Sequence, residues 1–240
     1  MEVIKVADYE ALSKKVCEIF INRLQTIENP VFGLATGSTP KGLYKCLVET
    51  YESGQISFAN AKFFNLDEYI GLDKSHPSSY TYYLMKKLYE HIHLTPDQIY
   101  LPNGNATDLQ EECARYEQCI RDCGHIDLQI LGVGINGHIG FNEPGTPFNS
   151  RTDVVNLTES TMRVNSRFFK SIDDIPHRAI TMGIGTIMES KEIIMLVSGK
   201  HKADTLQRMI HGNVTEDFPA SILQKHPNVT VIADEEAFHD

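Results

Sequence analysis

A chain of 240 residues, 41% of them hydrophobic, can bury a full core and form one domain over residues 1–240. Its 22 Lys and Arg stand against 32 Asp and Glu, a formal charge of −10; this argues against a nucleic-acid binder or a ligand of anionic membranes and leaves any anionic small molecule to a local site. No stretch approaches the roughly 18 apolar residues of a membrane span, and the start MEVIKVADYE lacks the basic and apolar regions of a signal peptide, so a cytoplasmic protein is expected.

Leu12, Val16, Ile19, Phe20 and Leu24 recur at helical spacing over residues 8–27, and residues 31–35 then read as a short buried strand. The alternation continues with a helix over 40–53, a strand over 61–66, helices over 78–91 and 108–122, and an apolar strand over 126–131. Strands over 179–182 and 192–197, a helix over 200–211 and a last strand over 229–233 complete it. Such alternation predicts an α/β fold: a mostly parallel, doubly wound, Rossmann-like sheet with helices on both faces. The five cysteines are odd in number and form no C-x-x-C, so reduced thiols are expected. Cys119 and Cys123 share a helix face at a spacing unsuited to zinc, and no metal is predicted. His91 and His93 read as surface or capping residues at a helix end.

Four of the predicted strands run directly into polar, Gly-rich or charged segments: Thr36-Gly37-Ser38-Thr39-Pro40, NLDEY at 65–69, GVGINGHIGFNEP at 132–144, and SGKHK at 198–202. Ligands of open α/β sheets bind at the carboxyl ends of strands, so these four segments are expected to meet at one site. TGSTP suits either a helix cap or a phosphate cradle, and it lacks the lysine of a nucleoside-triphosphate loop. In NLDEY, Asp67 and Glu68 point oppositely on extended backbone; caps, ion pairs and catalysis are all open to them, and the two are expected to do different jobs.

The letters G-x-G-x-x-G within GVGINGHIG match a dinucleotide fingerprint, but Gly140, Pro144, Gly145 and Pro147 follow in place of a helix, so an ordered loop is expected instead. His138 and Glu143 within it form a candidate His–carboxylate pair for proton transfer near neutral pH, with a solvated loop histidine as the plain alternative. Arg167 and Lys202 could supply the local cations that an acidic chain needs for an anionic ligand.

Taken in order, TGSTP, FNLDEYIGL, LPNG, GVGINGHIGFNEP, SRFF and SGKHKA resemble the glucosamine-6-phosphate deaminase family over essentially the full chain. FNLDEY and the N-E-P ending separate it from 6-phosphogluconolactonase, a relative by fold. The resemblance implies isomerisation and deamination of glucosamine 6-phosphate to fructose 6-phosphate and ammonia, without a cofactor. It implies His138 as the ring-opening group, Glu143 as its support and Asp67 as the base that takes the C2 proton. It further implies a phosphate site of Thr36, Gly37, Ser38, Thr39, Arg167 and Lys202. Many members carry aspartate where this chain has Asn136, which can accept a hydrogen bond from His138 without charging it. Allosteric members carry basic residues at the positions of Asp153 and Val155 and a longer C-terminal extension, so neither activation by N-acetylglucosamine 6-phosphate nor such an extension is expected. A monomer or small homo-oligomer is expected, with a small-molecule substrate and no nucleic-acid or membrane partner. A lactonase, or a non-catalytic sugar-phosphate sensor, is the alternative.

Overall fold

A computed structural model describes residues 1–166, 169, 171 and 174–239. In chain order the first half comprises β1 (Glu2–Val6), α1 (Tyr9–Thr26), β2 (Val31–Leu34), α2 (Lys41–Glu52), β3 (Lys62–Asn65), β4 (Asp67–Tyr69), α3 (Tyr80–Leu84), β5 (Ile99–Tyr100) and α4 (Leu109–Asp122). The second half comprises β6 (Leu128–Gly132), β7 (Asp153–Asn156), α5 (Glu159–Asn165), β8 (Arg178–Thr181), α6 (Ile184–Met188), β9 (Glu192–Val197), α7 (Ala203–His211) and β10 (Val229–Asp234).

Seven strands form one parallel sheet in the order β1-β10-β9-β6-β2-β3-β5. Side chains alternate across it. In β9, Ile194 and Leu196 join the core beneath α1 and α2, whereas Ile193, Met195 and Val197 join the core beneath α4 and α7. Burial on both faces explains the apolar run IIMLV that follows Glu192 in β9. The strands whose ends carry the four motifs, β9, β6, β2 and β3, are consecutive neighbours. Chain order reverses between β6 and β2, so the TGSTP and GVGINGHIG loops flank the switch point where such sheets open a crevice.

The structure corrects several expected elements. The strand over 61–66 stops at Asn65, and the chain turns into β4, which leaves the main sheet and pairs antiparallel with β8; β8 in turn pairs with β7. The strand near 179–182 therefore belongs to this small sheet. The helix over 78–91 is only one α-helical turn followed by a π-helical turn, Met85–Tyr89, and the helix over 200–211 opens with a 3-10 turn, Lys200–Lys202. Strands β1, β5 and β7 were not expected; each is short and at best half-buried, so none carries a continuous apolar run.

The thiol expectation is also corrected: Cys17 of α1 and Cys46 of α2 are joined as a disulfide, with Cα atoms 6.3 Å apart, while Cys113, Cys119 and Cys123 are free. The two helices approach closely because position 42 is glycine; a Cβ there would fall 2.0 Å from the Ser13 Oγ. Among the described residues no helix is long and apolar enough to cross a membrane, and no cluster of three or more His, Cys, Asp or Glu could hold a metal ion.

Candidate active site

The loop after β2 begins where buried backbone gives way to partly exposed Thr36 and Gly37. Gly37 has φ +100°, a conformation that side-chain-bearing residues rarely adopt. Pro40 then leads into α2, whose first turn has no side-chain cap hydrogen bond and no acidic residue. The N-H groups of a helix start carry partial positive charge, so the end of this loop is open to an anion.

Asp67 and Glu68, the first residues of β4, are 6% and 4% exposed. Glu68 accepts the backbone N-H groups of Tyr69 (2.8 Å), Tyr80 (3.0 Å) and Thr81 (2.7 Å), so its carboxylate anchors the start of α3 to the strand. Asp67 has no comparable role. Burial, and after it the charge of Glu68, hold its carboxyl well above the ordinary carboxylate range, and no hydrogen bond from the described residues counters them. Asp67 is thus a strong base when deprotonated. The alternation of the strand sets the two acids on opposite faces, and the backbone hydrogen bonds of Tyr69, Tyr80 and Thr81 belong to Glu68.

The loop after β6 closes on itself: Gly134 N-H donates to the His138 carbonyl (2.9 Å) and Gly137 N-H to the Gly134 carbonyl (2.9 Å). A Cβ on Gly134 would stand 2.2 to 2.5 Å from the His138 ring, so this glycine makes room for the imidazole. The apparent dinucleotide fingerprint therefore seats a histidine. Asn136 links that histidine to Glu143. His138 Nδ1 lies 2.7 Å from Asn136 Oδ1, and Asn136 Nδ2 donates to Glu143 Oε2 at 2.7 Å. A carboxylate can only accept, which fixes the amide orientation and makes His138 Nδ1 the donor. In the neutral ring the lone pair is then on Nε2.

Burial pulls the His138 pKa below its ordinary value, opposed by Glu143 and assisted by Lys202, so the imidazole is neutral near pH 7. Its 3.7 Å approach to Glu143 Oε2 is accordingly not an ion pair. On its other oxygen, Glu143 accepts from the hydroxyls of Thr158 (3.2 Å) and Thr161, at the start of α5. Asn142 donates to the carbonyls of Ile139 (2.9 Å) and Met182 (2.8 Å), and Phe141 N-H to Thr181 Oγ1 (3.1 Å). Thr181 stands opposite Asp67 in the β4–β8 register, so the histidine loop and the Asp67 strand share one support.

Lys202, just before α7, donates to the Val133 carbonyl at 2.8 Å, and burial lowers its pKa. Thr205 Oγ1 donates to the Ile135 carbonyl (3.0 Å), tying the first turn of α7 to the same loop. The structure thus brings Asn136, His138, Glu143 and Lys202 together, with Asp67 on the strand end tied to them through Thr181. Thr36, Gly37, Ser38 and Thr39 lie at the neighbouring strand end. Arg167 lies outside the described residues. Thr158, Thr161 and Thr205 were not singled out from the sequence; Thr158 has the signal of a helix cap, but nothing local reveals that its hydroxyl reaches a carboxylate 15 residues away.

Residues 7–232 match the family model described as glucosamine-6-phosphate isomerases/6-phosphogluconolactonase. A glucosamine-6-phosphate deaminase of Oceanobacillus iheyensis is 53% identical over 240 residues, covering 100% of this chain and 96% of the relative. The chain belongs to the glucosamine-6-phosphate deaminase family. Glucosamine-6-phosphate deaminase 1 of Bacillus subtilis is 48% identical, with 99% and 98% of the two chains covered. A solved structure of a monomeric glucosamine-6-phosphate deaminase superposes with a TM-score of 0.96 at 48% identity, covering 99% of this chain and 98% of that one. The 6-phosphogluconolactonase of Trypanosoma cruzi shares the fold, with a TM-score of 0.78 at 20% identity over 98% of this chain and 95% of its own. The deaminase-family assignment accords with a site that couples a buried carboxylate to a histidine loop.

Proposed function

We infer that this chain converts glucosamine 6-phosphate and water to fructose 6-phosphate and ammonia. The observation that carries this reading is a buried Asp67 whose carboxyl is held well above its ordinary range, on a strand end that shares Thr181 with the loop of a neutral His138. Hydrolysis of a lactone needs one base to activate water, whereas an aldose-to-ketose conversion needs one group for ring opening and a second for the C2 proton. The TGSTP loop and Lys202, with Arg167, hold the phosphate. His138 Nε2 takes the proton from the anomeric hydroxyl, and the ring oxygen is protonated as the pyranose opens. Asp67 then removes the C2 proton and returns it to C1, while one proton of the 2-ammonium group passes to O1, so that C1 becomes CH2OH and C2 an iminium. The resulting C2 iminium adds water and expels ammonia, leaving the ketone.

Purified protein supplied with glucosamine 6-phosphate, without added metal or nucleotide, should release ammonia and fructose 6-phosphate in equal amounts. Hydrolysis of 6-phosphogluconolactone in the absence of that reaction would overturn the assignment. A cytoplasmic role in amino-sugar catabolism suits a charged sugar phosphate, which does not cross membranes unaided. The monomeric relative supports a monomer here, checked by sedimentation.

The same reading includes an unregulated rate curve. Asp153 and Val155 line a cleft of about 540 Å³ behind the histidine loop. Asp153 accepts from Gln110 (3.1 Å), and the cation of this cleft, Arg151, is engaged by Glu117 (2.6 Å) and Glu189 (2.7 Å). An acidic and an apolar residue beside a committed arginine offer a dianionic phosphate no differential affinity, and without it no conformational equilibrium shifts. Initial rates should follow a hyperbola that N-acetylglucosamine 6-phosphate changes only by competition. Conversion of a sigmoidal curve to a hyperbola by that compound would refute this.

A further inference from the structure

The carbonyls of the TGSTP loop, and of Ala35 just before it, are bonded by tyrosines from three helices. Tyr83 of α3 donates to the Gly37 carbonyl at 2.6 Å. Tyr9, at the start of α1, places its hydroxyl 3.1 Å from the Ser38 carbonyl and 3.0 Å from the Thr39 carbonyl, and the same oxygen accepts the Gly42 N-H at 2.9 Å. Tyr44 of α2, fully buried, donates to the Ala35 carbonyl. Among the described residues there is no cis peptide bond. In a trans peptide the C=O of one residue and the N-H of the next point in opposite directions. Carbonyls of residues 35, 37 and 38 turned toward phenols therefore turn the N-H groups of Thr36, Ser38 and Thr39 away from them. A loop of this length has many arrangements in which some carbonyls face the ligand, and an inward carbonyl would repel a phosphate oxygen. The phenols remove those arrangements.

We propose that Tyr9 and Tyr83 are positioning residues for the phosphate end of the substrate: they set the affinity for the phosphoryl group by holding the TGSTP carbonyls outward, and take no part in proton transfer. The proposal rests on the reading of TGSTP as the phosphate site. Phenylalanine keeps either ring in place: Tyr9 is 37% exposed, and Tyr83, partly exposed, packs its ring against the core beneath α1 and α2. The hydroxyl can thus be removed while the ring stays. Tyr82, partly exposed on the same helix as Tyr83, has no hydroxyl contact with the loop and serves as the control.

The test uses Tyr9→Phe, Tyr83→Phe and Tyr82→Phe in the full chain. It reads KM and kcat for glucosamine 6-phosphate and, separately, the dissociation constant of inorganic phosphate by calorimetry. Loss of the hydroxyl that orders the loop should weaken phosphate binding and raise KM together by about three- to tenfold in each of the first two variants, with kcat within about twofold. Tyr82→Phe should match the parent. Unchanged phosphate affinity in both Tyr9→Phe and Tyr83→Phe overturns the proposal, as does a fall in kcat at constant KM. Because calorimetry needs no turnover, parent protein that binds phosphate but does not deaminate the sugar would refute the assigned reaction and leave the clamp to be judged by the binding data. Parent protein that turns over substrate with phosphate affinity insensitive to both hydroxyls would refute the clamp alone.

Discussion

Replacing Asp67 with asparagine is expected to lower kcat by about 10²–10⁴-fold, the usual cost of losing a positioned general base, while inhibition by inorganic phosphate stays unchanged. The readout that isolates the step is deuterium incorporation at C1 of the product in heavy water; normal incorporation by the variant would remove Asp67 from the role. The environment of the carboxylate adds a pH signature. Burial raises its pKa, and only the ionised form can accept the C2 proton. Activity should therefore fall, as pH is lowered, at values above the ordinary carboxylate range. The sign for stability is opposite. A carboxyl whose folded pKa exceeds its unfolded one stabilises the fold while protonated, and that contribution is lost as pH rises from the unfolded value through the raised one. Asparagine has no such titration, so at neutral pH Asp67→Asn should melt at or above the parent temperature while turning over far more slowly. Coincident loss of stability and activity would mean that Asp67 is scaffold, like Glu68.

His138→Gln is expected to lose about 10²-fold or more in turnover of the cyclic substrate, since an amide can hydrogen-bond but cannot carry a proton at neutral pH. The loss should shrink with an open-chain analogue that bypasses ring opening, measured before the steady state. Equal slowness with both would place His138 at a later step. Burial keeps the imidazole neutral near pH 7, so the parent does not require alkaline conditions to make this base available.

The parts of this molecule that were readable from its letters are those whose physics is local. Strands buried on both faces leave largely apolar stretches such as LQIL before Gly132 and IIMLV in β9, and their order with helices implies the parallel sheet. The division of labour within NLDEY follows from the pleat of a strand. What escaped depends on partners distant in sequence. β4 reads as the end of β3 because nothing in KFFNLDEY states that its second half pairs with residues 179–181. Cys17 and Cys46 meet because two helices pack through Gly42, a contact with no sequence signature in a chain with an odd number of cysteines. The hydroxyls of Thr158 and Thr161 on Glu143, and the phenols behind TGSTP, are likewise products of assembly.

The neutral amide between His138 and Glu143 confines where protons can travel. A carboxylate in the place of Asn136 could accept the imidazole proton and hand it along; an amide oxygen bonded to Nδ1-H and an amide N-H bonded to Glu143 offer no such passage. Asn136 conducts orientation and insulates charge. On the proposed reaction, every proton that Nε2 lifts from the sugar would therefore have to leave by Nε2 as well, to the ring oxygen or to water, so the histidine would have a single doorway and Glu143 would not serve as a proton store.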